Sequence, residues 1–141
     1  MSNLIALYVE DDDSTFFLVQ TALSETSLPV DLFRAADGDE ALDFLKKTGV
    51  HRAAPRPDMV LLDLNLPRVS GFEVLESVQS SDTLQNLPIC VLSTSAVVRD
   101  RERALQLGAR DFFTKPSTFD GLVDLMRSIF GPALANSLPA E

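Results

Sequence analysis

Continuous runs of apolar residues alternate along the chain with segments in which apolar residues recur every three or four positions. The continuous runs predict β-strands, which we place at residues 4–9, 30–35, 58–62, 87–92 and 111–113. Runs of this length, rich in Val, Ile and Leu, are typical of parallel strands that are covered on both faces.

The segments between these runs have the spacing of amphipathic helices. We predict five helices: from Asp13 or Ser14 to about Thr26, from Gly38 to near Gly49, from Phe72 through Val78, from about Val98 to Leu107, and from Phe119 to Phe130. Strict alternation of strands and helices predicts an α/β fold, with a parallel sheet, right-handed crossovers and helices on both faces. We expect residues 1–131 to form one domain and residues 132–141 to be a short unstructured tail with no output domain.

Composition narrows the function. The chain has 141 residues, of which 45% are hydrophobic, and this suits one compact domain. Its net charge of −9 argues against nucleic acid as a partner, because phosphates require a basic surface. Cys90 is the only cysteine, so the chain cannot form an internal disulfide. No apolar run approaches the roughly 18 residues of a membrane span, and we expect a cytoplasmic protein with no membrane partner.

Acidic residues follow two of the predicted strands. Glu10, Asp11, Asp12 and Asp13 come directly after the first strand, and Asp63 comes directly after the third. In open α/β sheets, ligands bind outside the carboxyl ends of the strands. Carboxylates gathered there repel one another unless a cation joins them. Asp63 and two of the acids at 10–13 are therefore candidates to hold a hard divalent cation, which prefers oxygen ligands.

Several dispersed motifs carry a family resemblance. They are Val9-Glu10-Asp11, Leu62-Asp63-Leu64-Asn65-Leu66-Pro67 with Gly71, Leu92-Ser93-Thr94, and Phe112-Phe113-Thr114-Lys115-Pro116. In these motifs the chain resembles the receiver domain of two-component response regulators over roughly residues 4–130. The segment 55–68 looks most like the small stand-alone response regulators that partner phytochrome-type histidine kinases. The resemblance implies a flavodoxin-like (βα)5 fold with strand order 2-1-3-4-5.

The resemblance also implies roles for the acidic residues. Asp63 would be the phosphoacceptor, which takes a phosphoryl group from a phosphohistidine of a sensor histidine kinase; the alternative is a structural Asp paired with Lys115. Asp11 would be the main metal-ligand acid, and Glu10 would act on the metal through water. The main-chain carbonyl of Asn65 would be the remaining protein ligand. Mg²⁺ fits this set best, since it takes one or two carboxylates and a phosphate, and Mn²⁺ would fit as well.

Other motif residues would stabilise the transferred group or respond to it. Lys115 would pair with one phosphoryl oxygen, and Ser93 would donate a hydrogen bond to another. The resemblance implies a cis bond before Pro116. Ser93 and the aromatic Phe112 would form the switch; the alternative for Phe112 is an ordinary core residue at the sheet edge. Thr94 replaces the commoner Ala or Gly, and its branched side chain would restrict access to the phosphate and so change the rate of dephosphorylation.

Three apolar residues that we expect to be exposed suggest two partner surfaces. The inward face of the first helix is expected to carry Leu18, Val19, Ala22 and Leu23. Phe17 would then project to the opposite side, and we expect it to dock on the kinase unless it is an isolated surface residue. Val97 and Val98, at the start of the fourth helix, suggest a homodimer through the face formed by the fourth helix, the fifth strand and the fifth helix.

Two other functions would use the same residues. An Asp-nucleophile phosphatase also places an acid at a strand end with Mg²⁺. That class usually has a second Asp two residues later, where this chain has Asn65. A degenerate receiver would serve only as a docking scaffold, but the complete set of motif residues argues against it. We therefore do not expect an enzyme that turns over a separate substrate.

Overall fold

The computed structural model describes residues 3–94 and 97–137. Its five strands are β1 (Leu4–Val9), β2 (Val30–Ala35), β3 (Met59–Leu62), β4 (Ile89–Ser93) and β5 (Asp111–Thr114). They form one parallel sheet in the order β2-β1-β3-β4-β5. The predicted flavodoxin-like fold and its strand order are confirmed.

Five α-helices connect or follow the strands. They are α1 (Asp13–Glu25), α2 (Gly38–Lys46), α3 (Gly71–Gln79), α4 (Val98–Gln106) and α5 (Phe119–Ser137). A short 3-10 helix at Gly49–His51, which we did not predict, follows α2. α2 ends earlier than expected because Lys47 adopts a left-handed conformation with φ of 57°. None of these helices, within the described residues, has the length and hydropathy needed to cross a membrane.

The sheet is covered on both faces because alternate residues of each strand point to opposite sides. Leu7 and Val9 of β1 belong to a core cluster to which α2, α3 and Ala104 of α4 contribute. Ala6 and Tyr8 of the same strand belong to a second cluster, completed by α1 and α5. The central strands β1, β3 and β4 are almost entirely buried, which explains why their sequences are apolar without a break.

The start of α1 differs from our prediction in two details. Its N-cap is Asp12, whose carboxylate accepts a hydrogen bond of 2.8 Å from the backbone of Thr15, whereas we expected Asp13 or Ser14. Leu18 was expected on the inward face, yet it is 47% exposed. Val19, Ala22 and Leu23 alone are buried in this helix. The inward arc is therefore narrower than predicted, and it leaves Leu18 beside the exposed Phe17.

The end of α5 corrects the prediction of an unstructured tail from residue 132. The helix continues through Pro132 to Ser137; residues 138–141 lie outside the described part. A proline inside a helix is unfavourable because it lacks a backbone N–H and its ring crowds the preceding turn. In the structure, Ala133 and Leu134 pack against the core cluster of α1 and α5. Partial burial of these side chains favours continuation of the helix and offsets the cost of the proline.

Candidate functional site

Three charged residues lie one position beyond the ends of three strands. Glu10 follows β1, Asp63 follows β3, and Lys115 follows β5. Each backbone N–H still bonds to the neighbouring strand: Glu10 to Ala35 at 3.0 Å, Asp63 to Val9 at 3.2 Å, and Lys115 to Ser93 at 2.8 Å. The sheet ladder thus fixes the backbone of all three residues at the same edge.

The acidic residues predicted from the sequence form one cluster at this edge. Glu10, Asp11 and Asp63 each offer a carboxylate oxygen, and these oxygens lie within 4.8 Å of one another. Glu10 and Asp63 are buried, whereas Asp11 is exposed. A group of oxygen donors that is open on one side matches the preference of Mg²⁺, which binds few carboxylates and keeps several waters.

Lys115 lies between the two buried carboxylates. Its ammonium is 2.6 Å from Oε1 of Glu10 and 3.5 Å from Oδ2 of Asp63, and its side chain is 11% exposed. Burying a carboxylate is costly unless a cation or hydrogen bonds accompany it. Lys115 balances one of the three carboxylates in the cluster, and the remaining charge suits a divalent cation.

The pKa values reflect this uneven sharing of Lys115. Burial acts to raise the pKa of Glu10, but the hydrogen bond and charge of Lys115 hold it below its usual value. Burial also raises the pKa of Asp63; Lys115 and the N–H of Asn65 oppose the shift, while the nearby charge of Glu10 adds to it. Asp63 is therefore the less well compensated of the two acids, and this is the position at which the motif places the reactive oxygen.

The loop after β3 supports Asp63 from its own backbone. Oδ1 of Asp63 accepts a hydrogen bond of 3.1 Å from the N–H of Asn65. The helix α3 begins close to this loop, and Gly71 lies against it: a Cβ on Gly71 would be 2.5 Å from the carbonyl oxygen of Asp63. The role of the Asn65 carbonyl in metal binding stays a prediction.

The predicted switch residues lie on neighbouring strands. Ser93 is the last residue of β4 and is fully buried, and Thr94, which follows it, is exposed. Phe112 lies on β5 opposite Val91 and is partly buried against the core cluster of α2 and α3. The bond between Lys115 and Pro116 is trans, in contrast to the cis bond that the resemblance implies.

Two residues of the site were missed by sequence reasoning. The hydroxyl of Tyr8 donates a hydrogen bond of 2.9 Å to Oε1 of Glu10, and Arg34 of β2 bonds to the backbone of Glu10 and Asp11. Burial and the charge of Glu10 raise the pKa of the Tyr8 hydroxyl. The signal for Tyr8 was its spacing, because residues two apart in a strand share a face. The signal for Arg34 was the presence of a charged residue within a predicted strand.

The residues expected at partner surfaces are exposed. Phe17 is 64% exposed, Val97 50% and Val98 67%. Phe16, the neighbour of Phe17, is instead partly buried and stacks on Tyr8 with ring centroids 5.7 Å apart. Exposure makes these residues available for contacts, and their partners stay predictions.

Comparison with known proteins agrees with the geometry of the site. Residues 6–127 match the family model of the response regulator receiver domain. The response regulator Rcp1 of Synechocystis sp. is 33% identical over 125 residues, which cover 89% of this chain and 85% of Rcp1.

Solved structures give the same result. The phosphorylated cyanobacterial phytochrome response regulator RcpA has a TM-score of 0.89 and 33% identity, and the match covers 99% of this chain and 100% of RcpA. The Mn²⁺-bound form of Rcp1 has a TM-score of 0.86 and 33% identity, and the match covers 97% of this chain and 99% of that one.

Proposed function

Because this chain belongs to the response regulator receiver domain family, we propose that it accepts a phosphoryl group from a sensor histidine kinase on Asp63. Its relatives include stand-alone phytochrome response regulators. Response regulators of this type interact with histidine kinases. A receiver domain is a signalling module rather than an enzyme with substrate turnover.

One observation carries the proposal. Asp63 lies within reach of two further carboxylates and of the Lys115 ammonium, 3.5 Å from its Oδ2. Asp63 alone would be a buried acid with a raised pKa, which many structural carboxylates also are. In this cluster Asp63 supplies a nucleophilic oxygen, and Lys115 supplies positive charge that phosphoryl transfer requires.

The proposed step exchanges one bond to phosphorus for another. A carboxylate oxygen of Asp63 forms the new O–P bond as the N–P bond of the phosphohistidine breaks. The electron pair of the broken bond goes to the imidazole nitrogen, which then takes up a proton. Lys115 exchanges its contact with Glu10 for one with a phosphoryl oxygen, and the hydroxyl of Ser93 donates a hydrogen bond to another oxygen.

Glu10, Asp11 and Asp63, with the main-chain carbonyl of Asn65, would hold Mg²⁺ or Mn²⁺. The clustered oxygens and the uncompensated negative charge fit a hard divalent cation. When bound, the cation would neutralise charge on the phosphoryl oxygens. The residues themselves orient the acceptor oxygen of Asp63 and keep it close to Lys115.

Phosphorylation of Asp63 would change the protein surface through movements of Ser93 and Phe112. Movement of Ser93 toward the phosphoryl group would open space behind it, into which the partly exposed Phe112 could turn. A full population shift from 1:99 to 99:1 requires about 5.5 kcal/mol, to which the bonds of Ser93 and Lys115 would contribute.

The proposed homodimer would form through α4, β5 and α5, with Val97 and Val98 in the contact. Gel filtration with and without a phosphate mimic tests whether the protein dimerises.

The phosphoacceptor is tested by intact mass after incubation with acetyl phosphate and Mg²⁺. We expect one labile phosphoryl adduct on the wild-type protein, and none on Asp63→Asn or after chelation of the metal. Asp82→Asn is a matched control, because Asp82 is an exposed Asp outside the cluster. An adduct that persists in Asp63→Asn would refute the assignment, and a folded wild-type protein that stays unmodified would favour either a docking scaffold or very fast autodephosphorylation.

The proposed partner is a phytochrome-type histidine kinase. It rests on the relatives, which include a phytochrome response regulator with 33% identity. Transfer of phosphate from such a kinase should be faster than transfer from an unrelated sensor kinase at equal concentrations. Equal rates from both kinases would remove this partner while leaving the phosphoacceptor role intact.

A further inference from the structure

Arg34 reaches from β2 over the loop that joins β1 to α1. It pairs with Tyr8 in the parallel register of these two strands. Its Nε donates a hydrogen bond of 3.1 Å to the carbonyl oxygen of Glu10, and its Nη2 donates one of 3.3 Å to that of Asp11. One side chain therefore binds the backbone of two consecutive residues that offer carboxylates to the cluster.

Two further contacts hold the guanidinium in place. Nη1 of Arg34 is 2.7 Å from Oδ1 of Asp13, and the guanidinium carbon lies 5.1 Å from the centre of the Phe16 ring. Phe16 stacks in turn on Tyr8. The Arg34 side chain is only 27% exposed. All three guanidinium nitrogens therefore contact the segment 10–13. The guanidinium also packs on Phe16, which stacks on the buried Tyr8.

This arrangement meets a physical need of the loop. The segment 10–13 carries four carboxylates in succession, and their mutual repulsion favours conformations in which they spread apart. A planar guanidinium can bind several acceptors at once in a fixed geometry, and a lysine ammonium cannot reproduce that fork. Fixing the two carbonyls limits the directions in which the side chains of Glu10 and Asp11 can leave the backbone.

We propose that Arg34 is a positioning residue for the divalent-cation site. It holds the β1–α1 loop so that the carboxylates of Glu10 and Asp11 face Asp63 before a cation arrives. Groups behind the ligands of a metal typically change its affinity by about 10–100-fold when they are lost. Arg34 acts on the backbone of the ligand residues rather than on their carboxylates, so we expect an effect of about tenfold.

If Arg34 acted only through its charge, its removal would change the affinity for Mg²⁺ in the opposite direction. Arg34 places a positive charge near a site for a cation, so by Coulomb's law its removal would strengthen binding. Loss of the positioning contacts would weaken binding. Arg34→Met, which removes the charge and keeps much of the apolar stem, separates these two effects. Arg34→Lys keeps the charge and removes the fork, so positioning predicts weaker binding in both variants.

The experiment is calorimetric titration of the full chain with Mg²⁺, for the wild type, Arg34→Met, Arg34→Lys and Asp11→Asn. Arg127→Met is the matched control for the loss of one arginine charge, because Arg127 is exposed on α5. A second readout comes from Tyr8, the only tyrosine in a chain without tryptophan. Its emission reports on the site directly, since its hydroxyl bonds to Glu10. Thermal unfolding in a chelator establishes that each variant is folded.

If Arg34 positions the loop, both Arg34 variants bind Mg²⁺ about tenfold more weakly than the wild type. The change in Tyr8 emission then occurs at correspondingly higher Mg²⁺ concentrations. Arg127→Met binds Mg²⁺ as the wild type does. Equal or tighter binding by Arg34→Met overturns the inference, and so does full affinity in Arg34→Lys. If Arg34→Met does not fold, Arg34→Lys decides. The inference rests on the proposed function, and the two fail differently: a wild type that binds no Mg²⁺ removes the cation site itself.

Discussion

At the scale of single residues, the site depends on how one lysine is shared between two acids. Lys115 lies closer to Glu10, at 2.6 Å, than to Asp63, at 3.5 Å. Tyr8 also donates a hydrogen bond to Glu10, so Glu10 would keep a partner during the proposed movement of Lys115 toward a phosphoryl oxygen. In the structure, Oδ2 of Asp63, the proposed phosphoacceptor, therefore lies near the Lys115 ammonium but at a longer distance than Oε1 of Glu10 does.

Replacement of Lys115 by Ala should slow phosphorylation of Asp63 by acetyl phosphate roughly 100-fold, the scale expected when one group that stabilises transition-state charge is lost. Phosphorylation is followed by intact mass against time, at saturating Mg²⁺. Lys46→Ala, which removes an exposed lysine from α2, should leave the rate unchanged. A Lys115→Ala protein that is folded and phosphorylated at the wild-type rate would contradict the proposed role.

Cys90 gives a pH-dependent prediction outside the site. It is 4% exposed on β4, and burial raises the pKa of its thiol to about 11 from an ordinary value of 9.0. Since the folded state holds this proton more tightly, the stabilisation is complete below pH 9 and is lost as pH rises through 11. From pH 8 to 10, the wild type should lose about 1 kcal/mol more unfolding free energy than Cys90→Ala. Urea unfolding of both proteins at the two pH values measures the difference, and parallel losses would refute it.

At the scale of elements, the helices fix the loops that carry the site. α1 begins at Asp13 with its cap at Asp12, directly after Glu10 and Asp11, and α3 begins at Gly71 against the loop after Asp63. Side-chain caps at both starts supply acceptors for backbone N–H groups that a helix leaves unpaired. The helix starts therefore set where the loops run, and the loops set where the carboxylates point.

Replacement of Gly71 by Ala should destabilise the protein by about 1–3 kcal/mol, because overpacking moves backbone atoms. The added Cβ would lie 2.5 Å from the carbonyl oxygen of Asp63 and 2.7 Å from Cα of Leu64. We also expect slower phosphorylation, since the displaced atoms belong to Asp63, the proposed phosphoacceptor. Chemical denaturation and intact mass measure the two effects.

Gly131→Ala is the matched control for this prediction. Gly131 lies within α5, and a Cβ there would meet nothing within 4 Å. Alanine in a helix interior is favoured over glycine by roughly 0.5–1 kcal/mol. The same substitution should therefore stabilise the protein at Gly131 and destabilise it at Gly71; equal signs at the two positions would contradict the close approach of α3 to Asp63.

At the scale of the whole molecule, the fold separates its core from its surfaces for contact. Two apolar clusters fill the two sides of the sheet, and the charged site lies at the carboxyl edge. The exposed pair Phe17 and Leu18 lies on α1, the helix that starts from the acidic loop. Val97 and Val98 lie at the start of α4, after the segment that follows Ser93. A partner that binds either surface would contact a helix whose start is linked to the site.

Replacement of Phe17 by Ser should slow phosphotransfer from the cognate kinase, since burial of a Phe side chain is worth about 1.5–3 kcal/mol. Phosphorylation by acetyl phosphate, which needs no docking surface, should stay at the wild-type rate. Val50→Ser is the control for an exposed apolar residue, because Val50 is 92% exposed in the 3-10 helix. Kinase-dependent transfer at an unchanged rate in Phe17→Ser would exclude docking through this residue.

Most of the fold was predictable because its signals are local. Buried parallel strands must be apolar on both faces, so β1, β3 and β4 could be recognised as continuous runs. The helices were predicted to within a few residues, except where tertiary packing outweighed a local rule. Pro132 is the example: its chemistry disfavours a helix, and the partial burial of Ala133 and Leu134 against the core favours one.

The sequence by itself determined the α/β architecture, the carboxylates at strand ends and, through its motifs, the family. Only the tertiary structure decided how these groups meet. Lys115 and Glu10 are far apart in the chain and form an ion pair of 2.6 Å, and Arg34 binds a loop from a neighbouring strand. Hydrogen bonds and charges act over a few ångströms in space. The spacing of residues along the chain therefore does not specify which side chain takes which partner.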